Sequence, residues 1–180
     1  LENAVILTQT YELIRDRFPS APENIWRERF AAHVDRLNNA PSSGFVEHLW
    51  LGLLNLTAGI ALEDEARFAS GVETFQLTIQ NEIRPEGYLP RAVEGGDGGS
   101  LARQLLSVGA LVLMAEAASH IGVDLWSYAS RGISVNTAAA YCIYYYYYPD
   151  KWRWDTLTAN QAGPIYRDHG AFLEIVNQRS

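Results

Sequence analysis

The sequence is poor in several things, and each shortage excludes a class of protein. It has a single cysteine, Cys142, in 180 residues. One thiol excludes an internal disulfide and leaves no thiolate set for a structural zinc site. Cys142 lies between Tyr141 and Ile143 in an apolar run, which predicts a buried, unreactive side chain. Basic residues are scarce: 14 Lys and Arg stand against 21 Asp and Glu, for a formal net charge of −7. Nucleic-acid partners require clustered Lys and Arg, so none is expected. An anionic sugar polymer stays open, because one basic cleft can sit inside an acidic protein. No uninterrupted apolar stretch reaches about 18 residues, so no membrane span is expected. No run of four or more residues alternates convincingly at period two, so no sheet is expected either. Serine-nucleophile elbows, phosphate-binding loops, His-Glu-x-x-His and Cys pairs are all missing, and neither a metal nor a cofactor is expected. The chain opens Leu-Glu-Asn-Ala, without an initiator Met or an apolar leader, as expected of a mature, trimmed or fragmentary polypeptide.

What is present is helical. Hydrophobic residues make up 48% and charged residues 19%, a balance that can build a core. Apolar residues recur at helical spacing over 2–17, 22–37, 45–62, 63–81, 100–120, 134–148 and 166–178. Ser42 or Ser43 is the expected N-cap of the third segment. Segments 45–62 and 100–120 are apolar nearly all round and are expected to be the most buried. The fold class predicted is all-α, a single helical domain over 1–180 built from antiparallel hairpins. Between the fourth and fifth helices lies the longest loop, 84–99, whose stretch Glu94-Gly95-Gly96-Asp97-Gly98-Gly99 reads as a mobile connection or a lid.

Few residues suggest chemistry. His48 sits early in an apolar helix beside Glu47; it is either a structural histidine or a proton-transfer group. Arg103 stands in the first turn of a helix of Leu, Ala and Val, where the dipole disfavours a cation. A carboxylate of the protein or of a ligand must compensate it. Tyr88 and Arg91 share the loop before the glycine stretch and are placed to line a cleft. Trp152 and Trp154, with Lys151 and Arg153, read either as packing anchors or as a sugar-stacking platform.

Two stretches then match a known pattern. One is Arg84-Pro85-Glu86-Gly87-Tyr88-Leu89-Pro90, followed by Ser100-Leu101. The other is 111–118, Gly122-Val123-Asp124-Leu125-Trp126 and, later, Pro149-Asp150-Lys151-Trp152. In this order and at these distances they resemble the alginate lyase family over roughly residues 45 to 155. The resemblance implies part of an (α/α) toroid that cleaves uronate polysaccharides by β-elimination, in the periplasm or outside the cell. In that family an Asn-Asn-His motif and a Tyr at the start of a later helix carry the chemistry. Here Asn38-Asn39 is followed by Ala40, while His48 follows Val46 and Glu47. Arg103, in Ala102-Arg103-Gln104, takes the place of the tyrosine. The roles implied are His48 as base, Tyr88 as acid, and Arg103 with Arg91 as a carboxylate clamp. Asn38, Asn39, Trp50 and Gln104 would touch the sugar. The partner implied is an acidic polysaccharide, with a second chain or an N-terminal half completing the ring. The alternative is a non-catalytic carbohydrate-binding or assembly protein that kept the fold and lost the site; a third is a helical scaffold with no sugar role.

Overall fold

The computed structural model describes residues 1–17, 19–41 and 44–179, and packing divides the chain into two compact units, Leu1–Thr74 and Phe75–Ser180. The expected cap at Ser42 or Ser43 lies outside the described residues.

In the first unit, α1 (Glu2–Ile14) turns Ala4, Val5, Thr8 and Tyr11 inward at spacings of three and four. It stops short of residue 17, because Arg15–Arg17 tightens into a 3₁₀ turn. Helix α2 (Ser20–Asn38) supplies Trp26 and Phe30. Their rings stack in sequence on Tyr11, with centroids 4.2 and 4.9 Å apart. Both helices pack on α3 (Phe45–Leu62), whose sequence is apolar on every side. Glu63 ends α3 in the left-handed region at φ 58°, and the chain reverses into α4 (Glu65–Asn81). The two helices approach closely because glycines face each other's partners. An added Cβ at Gly59 would lie 2.4 Å from the Phe68 nitrogen, and one at Gly71 would lie 2.5 Å from Leu56. Asp64 fixes the start of α4, accepting from the Arg67 amide at 3.0 Å and from its guanidinium at 2.9 Å.

The second unit is organised around α6 (Ser100–His120), which packs against α5 (Pro90–Val93), α7 (Val135–Tyr147), α8 (Ala159–His169) and α9 (Phe172–Arg179). Its inner residues from Leu101 to Ala118 are almost wholly buried. Gly109 leaves room for the Phe172 ring, and the Tyr166 hydroxyl donates to the Cys142 carbonyl at 2.7 Å. By length and composition α3 and α6 would each suffice to cross a membrane; 56% and 67% of them is buried within the protein, as in core helices.

Three expectations need correction. A two-residue antiparallel ladder exists, pairing Ala129 with Ser134 and Ser130 with Ile133. Arg131 (φ 55°) and Gly132 (φ 76°) both take left-handed backbone, the signature of a tight hairpin turn. Two residues are too few to show alternation in sequence. The C-terminal helix predicted from 166 is instead two helices. α8 begins at Ala159 behind a capping box of Thr158 and Gln161, tolerates Pro164, and ends where the Gly170 amide donates to the Tyr166 carbonyl at 2.7 Å. Loop 84–99 contains the short α5, started by Pro90 at its first position.

Candidate functional site

In the first unit, His48 lies exposed in the first turn of α3, its amide bonded to the Gly44 carbonyl at 3.1 Å. Seven residues on, Asn55 shares that helix face about 10 Å along the axis. Asn38 reaches it from α2 in a reciprocal amide pair of 2.8 and 3.1 Å. Asn39 closes the end of α2 through its backbone, donating to Asp35 O at 3.0 Å. Trp50 is half-buried, and among the described residues its enclosed indole nitrogen has no hydrogen-bond partner.

In the second unit, the turn 84–90 presents Tyr88. Its backbone closes on itself, Arg84 N to Tyr88 O at 2.9 Å and Gly87 N to Arg84 O at 2.8 Å. Glycine is required at Gly87 twice over: its φ is 105°, and a side chain there would strike the Thr137 carbonyl on α7 at 2.4 Å. Gln104, fully buried on α6, latches the turn from beneath. It accepts from the Leu89 amide at 3.1 Å and donates to the Gly87 carbonyl at 3.2 Å. A buried side-chain amide satisfied at both ends by backbone is a rigid support for the residue between them.

Tyr88 is half-buried and packs on Trp154, centroid to centroid 4.9 Å, and on Tyr141 at 6.0 Å. The exposed Arg153 guanidinium covers both outer rings, 4.9 Å from Tyr88 and 4.7 Å from Trp154. Trp154 in turn donates from its indole to the Tyr141 hydroxyl at 3.1 Å. Burial holds the Tyr141 phenol well above its ordinary pKa, only partly offset by that indole bond. Tyr141 is therefore a permanent proton carrier rather than a base. Among the described residues the Tyr88 hydroxyl has no hydrogen-bond partner, so it remains available to a ligand.

Arg103 has found its carboxylate. Its guanidinium donates to both oxygens of Asp97 at 2.8 Å and, through Nε, to the Ala92 carbonyl at 2.8 Å. It nests against Gly95 and Gly99, where an added Cβ would come within 2.7 and 2.9 Å of its nitrogens. The Arg103 bond is the main reason that the Asp97 carboxyl is held below the usual carboxylate range. The glycine stretch is thus wrapped around an arginine. A second clasp comes from Asp155, which sequence reasoning did not single out. It accepts from the Gly98 amide at 3.2 Å and the Ser100 amide at 2.9 Å, and also from the Ser100 hydroxyl. Ser100 accepts from the Trp152 indole at 2.8 Å, so Trp152, 4% exposed, is an anchor and not a stacking surface. Arg91 is exposed and lies 3.5 Å from Glu82. No local signal marks Asp155, because its partners lie 55 and 57 residues upstream.

Comparison with known proteins identifies the fold. Solved structures with the same fold include a histidine-to-alanine variant of alginate lyase A1-III complexed with tetrasaccharide, at TM-score 0.66 and 19% identity over 73% of this chain. The apo form of that variant matches at 0.62 and 20% identity over 69%. A tyrosine-to-phenylalanine variant complexed with tetrasaccharide matches at 0.58 and 22% identity over 68%. This chain spans 39%, 36% and 35% of those three proteins, respectively. No curated protein sequence matches it. The alginate lyase family profile matches residues 48–152, which is more than half of the chain. All-α among its described residues but for one two-residue ladder, and sharing its helical architecture with alginate lyases, the chain belongs to the alginate lyase family.

Proposed function

We propose that this chain is a polysaccharide lyase that acts outside the cytoplasm on a uronate-containing polymer by β-elimination. The observation that carries the reading is the Arg153 guanidinium stacked 4.9 Å over the Tyr88 ring, on a turn held rigid by Gln104. β-Elimination needs a cation to neutralise the uronate carboxylate, so that the neighbouring C–H becomes acidic. A base then removes that proton, the electron pair forms the C=C bond, and the glycosidic C–O bond breaks as its oxygen takes up a proton. Tyr88 supplies a phenol for proton transfer, and Arg153 and Arg91 supply guanidinium groups suited to a carboxylate. In this reading Arg103 shapes the loop through Asp97 instead of meeting substrate. His48, exposed on α3, is a separate candidate for proton transfer, and Asn38, Asn39 and Trp50 are candidate sugar contacts. The tetrasaccharide named for two of the similar structures supports an oligosaccharide ligand.

The test is to incubate the protein with alginate and follow near-ultraviolet absorbance, which reports the unsaturated uronate end group. Absorbance should rise with the wild type and be abolished in Tyr88→Phe, with the circular dichroism of the variant unchanged. No absorbance with any uronate polymer would overturn the lyase reading. A second reading, sugar binding without catalysis, is favoured by Arg103, which replaces the family's tyrosine and is already tied to Asp97. It predicts retardation of the protein by alginate in a gel with no absorbance change.

A further inference from the structure

The run Tyr144 to Tyr148 does not scatter its rings at random. Tyr145 is 8% exposed and Tyr141, one turn earlier, is also 8% exposed, while Tyr144 and Tyr148 are 43% and 47% exposed. Successive centroids join these rings into one continuous array. Tyr148 lies 5.1 Å from Tyr144, Tyr144 lies 5.0 Å from Tyr145, and Tyr145 lies 4.8 Å from Tyr141. From Tyr141 the array passes to Tyr88 and Trp154. The two buried rings form the backing, and the outer rings at each end meet solvent.

Each end also carries a cation held on a ring face. At one end the Lys151 ammonium sits 4.7 Å from the Tyr148 centroid and 5.8 Å from that of Tyr144. At the other, Arg153 covers Tyr88 and Trp154. Tyr144, through hydrogen bonding, and to a lesser degree Asp150, through its charge, raise the Lys151 pKa above the ordinary lysine value and favour its charged form. Neither cation forms an ion pair with an acid among the described residues. In a chain of net charge −7, these are two cations seated on partly exposed aromatic rings, with the Asp150 carboxylate acting on Lys151 from the neighbouring position. Aromatic surface with a cation held over it matches a pyranose ring bearing a carboxylate: the anion meets the cation, and the sugar C–H groups meet the ring surface that the cation leaves open.

We infer that the Lys151–Tyr144–Tyr148 end of this array is a binding subsite for a uronate residue, distinct from the Tyr88–Arg153 end, so that one acidic polysaccharide chain engages both. The ligand class rests on the reading given under Proposed function; the subsite itself rests on the ring and cation geometry.

The experiment is affinity electrophoresis of the whole chain in gels containing alginate, or alginate whose carboxylates have been reduced to alcohols. Variants Lys151→Gln and Tyr148→Ala change exposed side chains, and near-ultraviolet circular dichroism verifies that each is folded. The wild type should be retarded by alginate, and the effect should weaken with added salt and in the carboxyl-reduced polymer. Lys151→Gln should weaken retardation roughly three-fold in alginate and leave the reduced polymer unaffected, whereas Tyr148→Ala should weaken both. Unchanged alginate retardation in both variants would overturn the subsite, as would a folded wild type that alginate does not retard. The two readings fail separately. Retardation that depends on Lys151 without unsaturated product removes the lyase and keeps the subsite. Product formation with retardation and KM unchanged in both variants removes the subsite and keeps the lyase.

Discussion

The Asp155 carboxylate caps a helix that begins 55 residues earlier, accepting the Ser100 amide at 2.9 Å and the Gly98 amide at 3.2 Å. Helix α6 has no capping side chain of its own, and a carboxylate suits the positive end of its dipole. Asp155→Ala should lower stability by about 1–3 kcal/mol, the usual range for a lost cap that leaves part-buried donors unpaired. The urea midpoint measures this, and Trp152 emission should shift to longer wavelength as Ser100 loosens. An unchanged midpoint would show that water replaces the carboxylate without cost.

Arg103 shapes the glycine stretch, and its removal should be visible there first. Arg103→Ala removes the largest cause of the Asp97 depression but leaves the Gly99 amide bond, so the carboxyl should rise toward the ordinary range in an NMR titration. The sign follows from linkage. A carboxyl depressed in the folded state stabilises above its unfolded pKa, and that contribution is lost as pH falls through the folded value. The variant should show less of this acid-side loss and should be cleaved faster between residues 94 and 99 by a nonspecific protease. Equal cleavage rates would mean that the Asp155 clasp alone orders the loop.

Two glycines in helices should respond to alanine very unequally. Gly59→Ala puts a methyl 2.4 Å from the Phe68 backbone and should cost about 1–3 kcal/mol or more. Nothing lies within 4 Å of an added Cβ at Gly163 in α8. There lower chain entropy favours the alanine, but Pro164 follows directly and disfavours helical backbone at the residue before it once that residue carries a Cβ, so the net change should stay within about 1 kcal/mol. Thermal melts of the two variants suffice, and a loss at Gly163→Ala as large as that at Gly59→Ala would contradict the difference in packing.

Alkaline stability depends on Cys142. Burial pushes its thiol up to about 12, against an ordinary value of 9.0. The unfolded chain therefore gives up this proton first. Stability is full below about pH 9 and falls by about 1.4 kcal/mol per pH unit as pH rises toward 12. Urea midpoints at successive pH values should show that slope, and Cys142→Ala should remove it up to the pH where the buried Tyr141 and Tyr166 phenols repeat the effect. Being the only thiol, Cys142 also gives a direct check: a thiol reagent should label it only after denaturation.

The helices were legible because their apolar spacing is local information. Segments 45–62 and 100–120 coincide with α3 and α6, and Ser100, which opens α6, was read as its start. The split of the C-terminal helix was hidden by Pro164, which argues against a helix by itself and is tolerated inside α8. The sequence alone demands a partner for Arg103 but does not show which, since Asp97 lies in a glycine stretch that reads as mobile. Asp155 and Tyr141 were beyond sequence reasoning altogether. One acts on residues 55 and 57 positions upstream, and the other looks like one more tyrosine in an aromatic run.

The distance in sequence between Asp155 and the helix it caps also orders events during synthesis. The first turn of α6, with its glycine stretch, leaves the ribosome well before Trp152 and Asp155 exist. Until then the Gly98 and Ser100 amides and the Ser100 hydroxyl can be satisfied only by water, and the Arg103–Asp97 pair alone gathers the loop. Closure of a contact this remote must wait for the intervening chain to be made and folded. The entrance to the central helix of the second unit is therefore among the last parts of the nascent chain to set, although α6 itself is apolar enough to form early.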